Sequence, residues 1–107
     1  MSRIYWKIKQ GETFKRAVGV FEDDRTTPVD LTGFSAKMQV RKNADAELLA
    51  DAGIDIAGNV INITIPKNQT MNFPEGEVMF DLDLIKNNEV FPLVRQGKIQ
   101  VIKNINE

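Results

Sequence analysis

Apolar and polar residues alternate with a period of two along much of this chain. The clearest run is 34–41, where Phe34, Ala36, Met38 and Val40 form one row and Ser35, Lys37, Gln39 and Arg41 the other. That spacing sets one face of a strand on a core and the other in water. Just before it, Pro28 fixes its own φ, Asp30 and Thr32 can bond nearby backbone, and Gly33 can take positive φ, so a chain reversal feeds the strand. Residues 3–10 alternate likewise, Ile4, Trp6 and Ile8 against Arg3, Tyr5, Lys7 and Lys9. Gly11-Glu12-Thr13 predicts a turn, and 14–21 a second strand on the row Phe14, Val18 and Val20. Arg16 interrupts that row, which leaves its register, or a bulge, open. Residues 22–29, with four charges, two threonines and a proline, read as a solvated hairpin loop.

Residues 42–53 admit two readings. Ala44, Ala46, Leu48, Leu49, Ala50 and Ala52 suit a helix, but Asn43 and Gly53 bracket too little length for a stable one, so a loop with a short strand near 47–50 is preferred. Gly58-Asn59 between the alternating runs 54–57 and 60–65 marks the clearest hairpin. Pro66 stops that strand, and 67–72 predicts one helical turn. In 77–85, Val78, Phe80, Leu82 and Leu84 point inward while Glu77, Met79, Asp81 and Asp83 point outward. Asn87-Asn88 turns the chain, and 90–95 and 98–105 read as two last strands, with Pro92 placing the first at an edge or an irregular start.

About eight short strands and at most one helical turn predict an all-β, antiparallel sandwich or partly open barrel spanning 1–107 as a single domain. The expected core is Trp6, Ile8, Phe14, Val18, Phe34, Met38, Val40, Ile61, Ile63, Val78, Phe80, Leu82 and Val101.

Composition narrows the function classes. Fourteen basic against 15 acidic residues give a net charge of −1, so bulk attraction to nucleic acid or an anionic membrane is absent. There is no cysteine, which removes disulfides and thiolate metal sites, and no histidine, which removes the commonest general base and metal ligand. Neither a secretory leader nor a membrane-spanning run is expected.

Four constellations are candidates for chemistry. Ser35 and Lys37 share a strand face, but no nucleophile elbow or oxyanion hole accompanies them. Asp81 and Asp83 are about 7 Å apart on one face, a spacing that glycosidases or calcium sites use; alternation with apolar residues makes them the wet side of a strand instead. Glu22, Asp23 and Asp24 suit a solvated turn better than a cation site. Tyr5, Lys7, Lys9, Lys37 and Arg41 would make a basic, aromatic face for single-stranded nucleic acid, but opposite-charge pairing with Asp81 and Asp83 is the simpler use. With no glycine-rich phosphate loop either, neither an enzyme nor a bound cofactor or metal is expected.

The ordered markers Gln10-Gly11-Glu12-Thr13-Phe14, Pro28-Val29-Asp30-Leu31-Thr32-Gly33, Ala36-Lys37-Met38-Gln39-Val40-Arg41 and Ile61-Asn62-Ile63-Thr64-Ile65-Pro66, then Gly76 and Asp81-Leu82, resemble the small β-sandwich proteins of tailed bacteriophages and prophages. They are similar to the N-terminal domain of phage baseplate upper proteins. The resemblance implies an immunoglobulin-like sandwich and a virion structural role in tail or baseplate, with assembly in the host cytoplasm. Its implied partners are other virion proteins or further copies of itself. A baseplate upper protein continues into coiled-coil and receptor-binding-protein-anchoring regions, so the expected role is that of a small accessory or adaptor of the particle. The alternatives are a phage protein that inhibits a host factor and a nucleic-acid-binding barrel. Tyr5, Phe21, Met79, Ile85 and Ile102 break otherwise polar strand faces and, with Asp81 and Asp83, form the expected protein interface.

Overall fold

The computed structural model describes residues 4–43, 45–103 and 105; Arg3 and Ala44 therefore fall outside the described residues. Eight strands and one helical turn succeed one another among them: β1 (Tyr5–Lys9), β2 (Phe14–Gly19), β3 (Ser35–Arg41), β4 (Leu48–Asp51), β5 (Gly53–Ala57), β6 (Val60–Ile65), α1 (Lys67–Thr70), β7 (Gly76–Lys86) and β8 (Glu89–Ile102). They form a five-stranded sheet, β1-β8-β7-β3-β4, and a three-stranded sheet, β2-β6-β5. This is the all-β sandwich of about eight strands expected from the alternation. One pairing is not antiparallel: β1 runs parallel to β8, Tyr5 opposite Lys98 and Lys9 opposite Ile102.

The turn chemistry explains the hairpins. Asn87 and Asn88 both take positive φ, 52° and 66°, as a two-residue primed turn between β7 and β8 requires. Gly58, at φ 62°, serves the β5–β6 turn. A β4 strand, not a helix, forms in 42–53, and Ala52 alone separates it from β5. That single residue carries the chain from one sheet to the other, its N–H donating to the Met38 carbonyl at 2.9 Å.

Arg16 causes no bulge, since β2 pairs with β6 in unbroken register and Arg16 faces Ile63. Its guanidinium lies over the Phe14 ring at 4.6 Å and donates to the Lys7 carbonyl at 2.8 Å, joining the neighbouring edges of the two sheets. An inward charge at an edge also discourages strand pairing there.

The two last strands expected from the sequence are one. β8 runs unbroken from Glu89 to Ile102 with two register shifts, so Phe80 faces Gly97 and Leu82 faces Val94 while Asp81 meets both Arg95 and Gln96. The break expected between 95 and 98 is a bulge, in which Gln96 takes φ 55° and its N–H donates to Asp81 Oδ1 at 2.8 Å. Ile105, expected in the last strand, lies beyond it and is exposed. Because β1 pairs only with 98–102, the half of β8 around Pro92 is an edge.

Of the expected core, Trp6, Val18 and Phe34 are only partly buried, packing against the core from its rim, and the other ten are buried. Leu31, Ala50, Ile65, Phe73, Leu84, Val94 and Ile99 complete it. Thr70 is fully buried because its hydroxyl has partners, donating to the Glu12 carbonyl at 2.6 Å with the Lys67 carbonyl 3.3 Å away.

Candidate functional site

The outer face of the five-stranded sheet gathers most of the expected interface. On β7, Met79, Asp81, Asp83 and Ile85 point away from the core, as the alternation required. Met79 and Ile85 are half-buried by their neighbours and lie about 20 Å apart along the strand. Tyr5 joins Met79 in one row across the sheet, Tyr5–Lys98–Met79–Arg41, with Leu48 beyond Arg41. Ile85 lies between Ser35 and Val90 in another. Ile102 is opposite Lys9 at the far end of the sheet. Phe21 does not share this face: it continues β2 of the three-stranded sheet and bridges to Pro28.

Between these rows lies a shallow groove of about 280 Å³, lined among others by Lys37, Gln39, Arg41, Met79, Asp81, Asp83 and Arg95. Its charged centre is a three-residue cluster. The Arg95 guanidinium is 2.6 Å from Asp83 Oδ1 and 3.3 Å from Asp81 Oδ2, with the Asp83 side chain 22% exposed and that of Asp81 50%. Asp83 is therefore the more firmly held, and the bulge is what turns Arg95 toward both acids. Lys37 and Arg41, expected to pair with these acids, do not: Lys37 stands opposite Asp83 in the ladder without an ion pair among the described residues, and Arg41 donates to the Ala46 carbonyl at 2.8 Å. A second pair, Lys98 with Glu77 at 3.5 Å, is half exposed and contributes little.

The other sequence candidates fall into place around this face. Ser35 lies opposite Ile85, two positions from Lys37. Tyr5, Lys7 and Lys9 sit on β1 while Lys37 and Arg41 sit on β3, and the acids of β7 lie between, so the basic residues do not form one continuous surface. Among the described residues no three acids are grouped to hold a metal ion. Asp24 is a loop-builder: its carboxylate accepts bonds from the Thr26 and Thr27 N–H groups, each at 2.8 Å, and from the Thr27 hydroxyl.

Those bonds, the Thr27 hydroxyl foremost, hold the Asp24 carboxyl at about 2, below the ordinary 3.8. A depressed value means that the loop's support from Asp24 is present above pH 3.8 and is lost as pH falls through about 2. An NMR titration of the Asp24 carboxyl is expected to show its midpoint at about 2. A midpoint at the ordinary value would mean that the bonds do not hold in solution.

No protein-family model matches the chain, and no curated protein matches it. Among solved structures, a chain of the crystal structure of the ZIG-8–RIG-5 IG1–IG1 heterodimer is similar, with a TM-score of 0.44 and 9% sequence identity over 94% of this chain and 83% of that one.

Arg95 and Gln96 were not singled out from the sequence, nor were the exposed Leu48, Met71, Val90 and Phe91. Arg95 left no signal, because a bulge brings it to the acids. Phe91 was hidden by its inward parity: it faces Leu84 and packs against the Phe34 ring at 5.8 Å, at the end of the sheet opposite Ile102.

Proposed function

We propose that the protein is a non-enzymatic structural component of a tailed-phage particle, a tail or baseplate accessory or adaptor that docks on other virion proteins. The observation that supports this reading is the outer face of β7, where half-buried Met79 and Ile85 flank the Asp81–Arg95–Asp83 cluster. Apolar ends supply contact area, and a fixed charged centre sets the orientation of the partner. The resemblance of the strand and turn markers to small phage sandwich proteins supplies the setting.

The double variant Met79→Lys, Ile85→Lys tests the reading. Both side chains lie on the solvent face and a lysine stem can lie along the sheet with its ammonium in water, so the melting temperature is expected to stay within a few degrees of wild type. Incorporation into particles, measured by mass spectrometry of purified virions, is expected to be lost. Packaging at wild-type copy number would show that this face is not the interface. Absence of the wild-type protein from intact virions, with expression early in infection, would favour the inhibitor of a host factor instead.

A further inference from the structure

The charges of this chain are sorted by edge. β1 and β2 close one side of the sandwich, each the outermost strand of its sheet, and β4 and β5 close the opposite side in the same way. Residues 4–19, which hold the first pair, carry Lys7, Lys9, Lys15 and Arg16 against Glu12 alone. Residues 45–57, which hold the second, carry Asp45, Glu47, Asp51 and Asp55 and no base. The ion pairs among the described residues join Arg95 to Asp81 and Asp83 and Lys98 to Glu77, so neither edge is compensated within the molecule. Across the large sheet the two edges are well separated: four strand spacings lie between β1 and β4, roughly 19 Å, about twice the screening length at physiological salt, and two spacings, roughly 10 Å, lie between β2 and β5.

Charged residues at strand edges commonly serve to keep sheets apart, and a mixture of signs would do that against any neighbour. Here each edge has one sign. Like edges repel and unlike edges attract, which selects a single arrangement. Each edge also carries an exposed apolar side chain, Tyr5 on β1 and Leu48 on β4, 55% and 44% accessible.

We infer that the partner of each edge is the opposite edge of a second copy of this chain. The contact is head-to-tail, β1 and β2 of one molecule against β4 and β5 of the next, and so grows into a ring or a chain and not a closed two-fold dimer. It goes beyond the docking face of β7, which the contact leaves free.

Sedimentation velocity on the purified protein reads this directly. At ~10 mM ionic strength the wild type is expected to form species larger than a dimer that grow with concentration and dissolve toward ~1 M salt, where the screening length shrinks about tenfold. Two variants separate the edges: Lys7→Glu, Lys9→Glu, Lys15→Glu makes both edges acidic, and Glu47→Lys, Asp51→Lys, Asp55→Lys makes both basic. Each alone is expected to associate at least roughly tenfold more weakly than wild type. Mixed in equal amounts they are expected to associate again, an outcome that misfolded variants would not give. A wild type that stays monomeric at millimolar concentration in low salt overturns the inference. So does a variant that self-associates like wild type, or a folded pair that stays monomeric when mixed. Because the purified chain alone is measured, a monomer here would leave the β7 docking reading standing.

Discussion

Replacing Phe80 by alanine is expected to remove about 3–5 kcal/mol of unfolding free energy, read as a lowered denaturant midpoint at unchanged slope. Phe80 is 2% exposed at the middle of β7. Its ring stacks on Trp6 at 5.0 Å and 4°, and Trp6 in turn meets Phe14 edge-on at 5.4 Å. The three rings run from β7 through β1 to β2, so they tie the large sheet to the small one. Truncating the first leaves a cavity and frees the indole, and aromatic pairs add about 0.5–1.5 kcal/mol beyond area burial. Domains of this kind hold only ~5–15 kcal/mol in total, so one substitution takes a large share. A loss under about 1 kcal/mol would mean that β7 does not set its alternate residues as described.

Gly97→Ala is expected to cost about 1–3 kcal/mol, and Gly97→Val more. The reason is space, because the backbone there is not left-handed. A methyl on Gly97 would stand 2.5 Å from Cε1 and Cζ of Phe80 and 2.9 Å from Cγ1 of Val94. Gly97 faces Phe80 across the ladder, so the ring lies over the one position of β8 that has no side chain. If so, Gly97→Ala combined with Phe80→Leu should cost less than the two changes added, since the smaller side chain relieves the clash. Strict additivity, or a single variant with the wild-type midpoint, would place the ring elsewhere.

The sequence carried the fold where its information is local. Alternation in 34–41 and 77–85 placed Met38, Val40, Val78, Phe80 and Leu82 in the core, Asn87-Asn88 marked the turn after 77–85, and Gly58 marked that between β5 and β6. It was silent where a distant partner decides. Arg16 reads as an error in an apolar row until the Lys7 carbonyl across the sandwich edge is seen to receive it. Leu31 and Phe73 sit in irregular segments with no periodicity, yet both are buried in the core. The candidate face divides in the same way. Met79, Asp81, Asp83 and Ile85 share a strand and were legible together, while Arg95, which fixes the acids, arrives through a bulge that looked like a gap between strands. Phe21 is grouped with them as an apolar residue on the polar face of its own strand, and that alternation does not say which sheet the strand joins.

The parallel pairing of β1 with β8 has a mechanical consequence. The chain enters through the start of β1 and leaves through the end of β8, and the two strands point the same way with five residues of each in register. Tension applied to residues 4 and 103 therefore slides one strand along the other, and the hydrogen bonds between them are loaded side by side. An antiparallel pair held the same way would open from one end, one bond at a time. Pulled at residues 4 and 103, the β1–β8 ladder is therefore loaded in shear, its bonds resisting together instead of in succession.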